Sequence, residues 1–450
     1  MEESLSKSFD FADVARKSVA STKYITSVKP QNGNSFTLGG NVIEFALPTA
    51  VQRSFAMLNG AYLKFRVRNN SGVDFSADGS AGFASVVNRL EFVSAGGILS
   101  SIANWNSLYS ALMDLGADPA TSGNVLNPLF GTAQSPAEVT ASVNSAAAAF
   151  SGAEIPTAGG TTDRTVCVPL VLNPFSSCDR GIPLFSADNL RIRVTLESAA
   201  AALISAGAVA DSQVVIDQVS LNFETVTLDQ DSFALVDAAT AGTYSILSTD
   251  WRVVSNNVAA GVTSATNIIG VSVSSAKRLL ILPRNTVDIT NLAAASQANR
   301  TMMNLSQVQL NASGKLLPQL PVTIEPATDR GRGAEALATT LMSDDKLGDI
   351  KAGGLLSLGS AAGTQLYTVT TAAAGTNATD SGKFMLGIDL RTHPDGDDVF
   401  SGLNLLGANF LADFQMSAAV PVAATILYCV QFHSLISLDT RSTNTFRVSV

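Results

Sequence analysis

The most constraining feature of this sequence is a pair of similar passages, one in each half of the chain. Residues 181–196 and 402–416 each begin with a Gly-led turn and continue into alternating apolar and polar residues. Each passage is followed by a long apolar run, at residues 219–229 and 424–439, and both runs end in Leu-Asp. Similarity at about half the chain length predicts two copies of one β-rich unit.

Most of the chain shows the pattern of antiparallel β-strands. Between residues 63 and 68, apolar Leu, Phe and Val alternate with Lys and Arg, which is typical of a strand with one buried face. Further runs are predicted to be strands at 83–93, 165–172, 190–196, 219–228, 267–273, 278–283, 306–310, 384–390, 410–416 and 425–438. Many strands separated by Gly, Asn and Pro turns favour an all-β fold of two tandem sandwiches or jelly rolls over a parallel α/β sheet.

A few segments break this pattern. Apolar residues recur at helical spacing between Ile102 and Leu115, which predicts a short amphipathic helix, and a second helix is predicted over 334–342. Residues 117–163 and 353–382 are rich in Ala, Ser, Gly and Thr. Because such small side chains make a poor core, both regions are expected to be surface loops.

The N-terminal segment, residues 4–20, has the spacing of an amphipathic helix. Its apolar stripe consists of Leu5, Phe9, Ala12, Ala15 and Val19. A single amphipathic helix needs a surface to lie on, which can be its own domain, a neighbouring subunit or a membrane. The polar face is not strongly basic, and this favours a protein surface.

Charge limits the partners of this chain. Charged residues make up 14% of the 450 residues, against about 25% in an ordinary protein, so much of the surface is expected to be neutral or covered by other subunits. The formal net charge of -9 argues against condensation of a genome, which requires Lys and Arg to replace the counterions of phosphates. Acidic and basic residues nearly balance in residues 1–29, so the segment is not a basic nucleic-acid arm.

The cysteines and the apolar stretches indicate neither a redox site nor a targeting segment. Cys167, Cys178 and Cys429 are odd in number and lack metal-binding spacing, so each is expected to act as a small apolar residue. The first residues lack the order of a signal peptide. The most apolar stretch, 416–432, contains Pro421 and is shorter than a membrane span of about 20 residues.

Candidate catalytic groups are few. The sequence has no phosphate-binding Gly-rich loop, no zinc spacing and no nucleophile elbow. His393 precedes a Pro-Asp-Gly turn and His433 lies in a predicted strand, and a structural role is favoured for both. Three other groups are interpreted as turns or solvated loops: the acidic cluster Asp395, Asp397 and Asp398, the triplet at 380–382, and the arginines Arg330 and Arg332. No cofactor or metal site is predicted.

Several passages, spread over nearly the whole chain, carry a resemblance to a known family. They are residues 24–33, 43–48, 58–65, 182–196, 274–279, 308–318 and 400–416. In their order they resemble the double jelly-roll major capsid proteins of tailless double-stranded DNA viruses, in the lineage of adenoviruses, virophages and polinton-like viruses. The aromatic content of this chain, 6%, is lower than the family pattern leads one to expect.

The resemblance implies an all-β double jelly roll with short helices and an N-terminal helical arm. The implied divisions are an arm at 1–28, a first jelly roll at 29–229 and a second at 230–450. It also implies a non-enzymatic virion protein: three copies form a pseudo-hexameric capsomer, and capsomers tile an icosahedral shell together with penton and minor capsid proteins, in some viruses above an internal membrane. Leu5, Phe9, Ala12 and Val19 would then be contacts of the arm beneath the trimer or on a neighbouring capsomer.

Two other classes of protein remain open at this point. A secreted or surface carbohydrate-binding β-protein would show exposed aromatic platforms, and Trp105 and Trp251 are the two tryptophans available for one. A β-sandwich hydrolase would show a cleft in which carboxylates converge and one of them has a raised pKa.

Overall fold

The alternation of apolar and polar residues produces antiparallel sheets along most of the chain. The computed structural model describes residues 21–49, 51–132, 151–156, 163–178, 180–185, 189–293, 297, 299–324, 333–349, 382–393, 400–439 and 446–449. The predicted N-terminal helix at 4–20, with Leu5, Phe9, Ala12 and Val19, lies outside these residues.

The strands, in chain order, are β1 Ser21–Val28, β2 Ser35–Thr37, β3 Val42–Ala46, β4 Ser54–Asn69, β5 Phe75–Asp78, β6 Val87–Ser94, β7 Gly97–Ile102, β8 Ser151–Ile155, β9 Asp163–Pro169, β10 Ile182–Pro183, β11 Arg191–Leu196, β12 Val214–Leu228, β13 Thr243–Val258, β14 Ser264–Ile268, β15 Ala276–Asn285, β16 Leu305–Ala312, β17 Lys315–Thr323, β18 Leu386–Asp389, β19 Phe410–Met416, β20 Ala424–Asp439 and β21 Phe446–Ser449. The α-helices are α1 Trp105–Gly116, α2 Pro119–Thr121, α3 Asn127–Phe130, α4 Ala199–Ala202, α5 Gln230–Thr240 and α6 Ala334–Met342.

Two sets of eight strands have the same topology. In the first set, one sheet has the order β2-β12-β4-β9 and the other has the order β3-β11-β6-β7. In the second set the orders are β13-β20-β15-β18 and β14-β19-β16-β17. Numbered within its own set, each roll thus pairs strands 1-8-3-6 and 2-7-4-5, which is the strand order of a jelly roll. The predicted all-β fold of two tandem jelly rolls is confirmed.

The repeated passages of the sequence occupy equivalent places in the two rolls. β11 and β19, which end the two similar passages, are each the seventh strand of their set, and the closing runs form β12 and β20, each the eighth strand. The strand β1 extends the first sheet, because it pairs with the C-terminal part of β12, from Ser21 opposite Leu228 to Val28 opposite Leu221.

Several strand and loop predictions were wrong in detail. Residues 83–86 form a 3₁₀ turn before β6, and β14 ends at Ile268 rather than continuing to residue 273. The region 117–163 is not only a surface loop, since Phe130 and Ile155 within it are buried in the core. Phe130 packs edge-on against Tyr109 of α1, with ring centroids 6.0 Å apart. Such large side chains supply the core contacts that the small residues of this region cannot make.

The two helices predicted within the described residues agree with the structure. α1 begins at Trp105 and buries most of its residues, while α6 covers the predicted range of 334–342. The connector between the rolls, for which no helix was predicted, forms α5, whose N-cap Asp229 accepts a hydrogen bond from the backbone N–H of Ser232 at 3.0 Å.

The apolar side chains of both rolls form one continuous core. The middle of β20 lies deep in this core, where the successive residues Leu427, Tyr428, Cys429 and Val430 are buried on both faces of the sheet. On one of these faces Arg284 extends from the neighbouring strand β15 to α1 of the first roll. Burial on both faces explains why this stretch is a continuous apolar run in the sequence. Among the described residues, no helix has the length and apolarity to span a membrane.

Candidate functional site: the seam between the rolls and the exposed faces

The groups considered for chemistry do not converge in the described part of the chain. His433 is buried in β20, where its Nδ1 lies 3.1 Å from Ser275 Oγ and its ring stacks on Phe400. His393 lies beside Thr392 at the surface. No group of three His, Cys, Asp or Glu among the described residues has the arrangement of a metal site. The predicted loop groups Asp395, Asp397, Asp398, Arg330 and Arg332 and the triplet at 380–382 fall partly or wholly outside those residues.

The cysteines have the structural character expected of them. All three are free thiols; Cys178 and Cys429 are buried, and Cys167 is partly exposed. Burial raises the pKa of the Cys429 thiol to about 12, which keeps it protonated and apolar at neutral pH.

The polar residues that do converge lie at the seam where the two rolls meet. Asp114, on α1 of the first roll, is fully buried. It accepts hydrogen bonds from Arg300 and Lys383, two cations in the second half of the chain. Arg300 Nη2 lies 2.5 Å from Asp114 Oδ2, and Lys383 Nζ lies 2.8 Å from Asp114 Oδ1. Ser80 Oγ donates to the same carboxylate at 2.6 Å. We call Asp114, Arg300, Lys383 and Ser80 the seam cluster.

The electrostatics of the seam cluster follow from burial and pairing. Burial by itself raises the pKa of Asp114, but Lys383 and Arg300 together hold it below its usual value. Asp78 lies close by, and burial raises its pKa to about 6, partly offset by the backbone N–H groups of Ala81 and Ser80. The structure therefore keeps Asp114 ionised between two cations, an arrangement that loses much stability if one partner is removed.

A second group of hydrogen bonds extends the seam along α1. Arg284 Nη1, at the end of β15, donates to Ser107 Oγ at 2.9 Å and to Gln297 Oε1 at 3.1 Å. Gln297 Nε2 in turn donates to the backbone carbonyl of Ala201 in α4 at 2.9 Å. Elements of both rolls are thus joined through buried side chains, and this fixes their relative orientation.

A third contact joins β7 of the first roll to β13 of the second. Ser100 Oγ donates to Asp250 Oδ1 at 2.9 Å, and the backbone N–H of Trp251 donates to the same oxygen at 2.8 Å. Burial raises the pKa of Asp250 to about 6, although both hydrogen bonds and Arg252 act in the opposite direction. A buried carboxylate with a raised pKa here is part of the seam and not of an open cleft.

Asp250→Asn is expected to raise the free energy of unfolding at pH 7 by about 1–3 kcal/mol and to flatten its pH dependence. The folded-state pKa of Asp250 lies above the unfolded value, so this group stabilises the fold below about pH 4 and loses that contribution as pH rises through about 6. Urea unfolding at several pH values between 4 and 7 measures the effect. Asp217→Asn is the matched control, because pairing with Arg66 lowers the pKa of Asp217 and gives the opposite slope. An Asp250→Asn profile parallel to that of the parent chain would contradict this assignment.

An aromatic cluster holds the connector α5 against both rolls. Phe185 of the first roll packs edge-on against Phe233 of α5, with ring centroids 5.0 Å apart, and against Tyr244 of β13 at 5.8 Å. Phe55 of β4 completes the cluster, 5.7 Å from Phe185. Since its members come from both rolls and the connector, the cluster stabilises the junction in addition to the buried ions.

The outer face of sheet β3-β11-β6-β7 in the first roll carries charged side chains that form ion pairs with one another. Glu44 accepts from Arg191 Nη1 at 2.6 Å and from Arg193 Nε at 3.3 Å, and Arg193 stands opposite Glu91 across the sheet. Pairs of this kind at a surface contribute about 0–1 kcal/mol each, so they control solubility and partner choice more than stability.

The equivalent face of the second roll carries an apolar row. Ile268 of β14 stands opposite Leu411 of β19, which stands opposite Asn311 of β16, and Asn311 stands opposite Leu316 of β17. Ile268 is 65% exposed and Leu316 is 47% exposed. We call Ile268, Leu411 and Leu316 the outer row. Exposed apolar residues that line up across a sheet are typical of a surface that another protein covers.

The comparisons with known proteins agree on the fold. No protein-family model matches the sequence, and no curated protein matches it. The Faustovirus major capsid protein is similar in structure with a TM-score of 0.60 and 10% identity, over 93% of this chain and 91% of that chain.

Two further solved structures match over nearly the full length. The PBCV-1 virus capsid, a quasi-atomic model, is similar with a TM-score of 0.58 and 10% identity, over 97% of this chain and 98% of that chain. The mavirus major capsid protein has a TM-score of 0.52 and 11% identity, over 95% of this chain and 90% of that chain. At this level of identity the likeness shows a shared fold, the double jelly roll.

Proposed function

We propose that this chain is the major capsid protein of a tailless double-stranded DNA virus and that it has a structural rather than an enzymatic role in the virion. Three copies form a pseudo-hexameric capsomer, and capsomers tile an icosahedral shell. The observation that carries the proposal is the duplicated jelly roll itself, which is similar to the named capsid proteins over at least nine tenths of this chain. Two rolls per chain give six rolls per trimer, which suits hexagonal packing.

The seam supports this role. A shell subunit has to hold its two rolls at a fixed angle, because neighbouring capsomers contact both of them. The seam cluster, the hydrogen bonds of Arg284 and the aromatic cluster around Phe185 meet that requirement without any ligand. The low charge fraction and the outer row support burial of neutral surface between copies.

The competing carbohydrate-binding role has less support from the described residues. Trp105 is fully buried, stacks on Tyr109 at 4.6 Å and donates from Nε1 to the carbonyl of Leu172 at 2.9 Å. Trp251 is 5% exposed and lies under the guanidinium of Arg278 at 5.0 Å. Neither tryptophan offers a free ring face of the kind that stacks on a sugar.

The remaining partners belong to the same proposal. Pentagonal vertices require a different protein, since six rolls per trimer do not fit a fivefold position, and minor capsid proteins and, in some viruses, an internal membrane complete the particle. The N-terminal stripe of Leu5, Phe9, Ala12 and Val19 serves as an arm that packs beneath the trimer or on a neighbouring capsomer.

Size-exclusion chromatography with light scattering tests the capsomer. The expected mass of the purified protein is three times the 46.6 kDa of one chain. A stable monomer that binds glycans would instead support the carbohydrate-binding role and would overturn this proposal.

Ile268→Asp is expected to reduce assembly by tenfold or more while leaving the free energy of unfolding of the single chain within about 0.5 kcal/mol. The side chain is exposed in one copy, but a carboxylate buried between copies without a partner is costly. Ser264→Asp, on the same face of β14, is the control for added charge. Particle yield by sedimentation compares the two variants, and equal yields would remove the outer row from the interface.

A further inference from the structure

The connector α5 borders an open groove next to the point where the described chain begins. Gln52, Arg53, Phe185, Gln230 and Phe233 line this groove, which has a volume of about 430 Å³. We call it the connector groove. Its lining comes from the turn before β4, from the segment after β10, and from α5. Two of its five members are phenylalanines that pack edge-on against each other.

The start of β1 lies close to this groove. Ser21 pairs with Leu228, and the N–H of Leu228 donates to the carbonyl of Arg53 at 3.0 Å, so Ser21, Leu228 and Arg53 form one row across three chain segments. Because neighbouring strands are about 4.8 Å apart, the backbone of Ser21 lies about 10 Å from that of Arg53. The described chain therefore begins beside the connector groove.

The exposed face of α5 adds an apolar surface without a partner among the described residues. α5 fully buries none of its residues, and Leu235 is 73% exposed. Phe233 and Val236 point partly inward, whereas Leu235 points to solvent. A helix whose outer face carries a large apolar side chain is more stable when a second amphipathic segment covers it.

We propose that residues 1–20 of the same chain dock in the connector groove and along α5. As a helix, this segment rises about 1.5 Å per residue, which places Val19 and Ala15 within about 10 Å of Ser21 and Ala12 at about 14 Å. These small apolar side chains of the stripe fit against the rings of Phe185 and Phe233, while Leu5, about 24 Å from Ser21, extends beyond the groove.

Charge supports this occupant. Arg53 in the groove and Asp229 and Asp231 at the start of α5 give this surface charges of both signs, and the segment carries both signs as well, in Asp10, Asp13, Arg16 and Lys17. Residues 1–20 are joined directly to β1, which begins beside the groove. A connection of a few residues gives an effective concentration in the millimolar range, and this favours the chain's own segment over that of a second copy.

The inference rests on the arm proposed above but narrows it to a contact within its own chain, in place of packing on a neighbouring capsomer. It does not depend on the shell, because its test uses the purified full-length protein. In a Cys167→Ala background, Val19→Cys combined with Gln230→Cys is oxidised gently, and mass spectrometry of the peptides identifies the linked pair. Val19→Cys with Ser264→Cys, an exposed site on β14, is the control. We expect a link within one chain for the first pair, at least tenfold more abundant than for the control.

Hydrogen exchange gives a second readout that does not depend on introduced thiols. Removal of residues 1–20 is expected to speed the exchange of the α5 amides about tenfold and to leave those of α6 unchanged. A link at the control level, a link that joins different chains, or unchanged exchange of α5 would each overturn the proposed docking site. Any of these results would leave the proposed shell function standing.

Discussion

Asp114→Asn lowers the free energy of unfolding by about 3–5 kcal/mol, the cost expected when one partner of a buried ion group is removed. The amide has nearly the shape of the carboxylate but no charge, so Arg300 and Lys383 remain buried next to a neutral group. Urea unfolding monitored by tryptophan fluorescence measures the loss, because Trp105 lies on the same helix as Asp114.

The matched control for that experiment is Asp217→Asn. Asp217 also accepts from two arginines, Arg66 at 2.7 Å and Arg68 at 3.0 Å, but this group lies on the outer face of the first roll. Ion pairs at a surface contribute about 0–1 kcal/mol, so the control loses far less stability. If the two variants lost equal stability, the seam cluster would not be what fastens the rolls together.

Trp105→Ala is expected to lower the free energy of unfolding by about 3–5 kcal/mol, because it leaves a large cavity at the N-terminal end of α1. The indole is fully buried, stacks on Tyr109 and donates to the carbonyl of Leu172. Denaturant unfolding monitored by far-ultraviolet circular dichroism measures the loss.

Trp105→Phe separates packing from hydrogen bonding at this position. Phenylalanine keeps most of the apolar contact but leaves the Leu172 carbonyl without its indole donor, which costs about 1–3 kcal/mol. An alanine variant no less stable than the phenylalanine variant would show that packing of the indole contributes little to the fold.

Several kinds of contact hold the two rolls of this chain together. The buried apolar residues form a single core across both rolls, and ions, hydrogen bonds and the aromatic cluster fasten the junction at separate points. The outer faces of the two rolls nevertheless differ, charged and paired in the first and apolar in the second. Because the two rolls share a fold but differ in surface, each can bind a neighbouring protein surface that the other does not fit.

The sequence predicted those elements whose pattern is local. β4 alternates cleanly because one face meets the core and the other carries Lys and Arg, and α1 and α6 show helical spacing over their whole length. The duplication was visible because the seventh and eighth strands of each roll keep similar turns and endings.

Two of the strands that were not predicted were missed for identifiable reasons. In β13 the inward positions include Ser248 and Asp250, which form hydrogen bonds with Ser434 and Ser100. Because these buried residues are polar, the alternation of apolar and polar residues that marks a strand is not visible in the sequence. β17 contains Pro318 and Pro321, which argue against a central strand and are tolerated here because β17 lies at the edge of its sheet.

The seam cluster could not be predicted from spacing. Arg300 lies 186 residues and Lys383 lies 269 residues from Asp114, and only the tertiary fold brings them together. No local pattern marked it, because Asp114 lies with Ser107 and Ser110 on the side of α1 opposite the apolar stripe, the side that an amphipathic helix ordinarily turns to solvent. In the fold this side is buried as well, and the carboxylate has two buried cations as partners.

Electron microscopy of the purified, assembled protein tests the central claim most directly. If this chain is a double jelly-roll shell subunit, images will show pseudo-hexagonal capsomers of three chains each, packed into flat facets or closed icosahedral particles. Particles with the dimensions of one 46.6 kDa chain, under conditions that favour assembly, would contradict the claim.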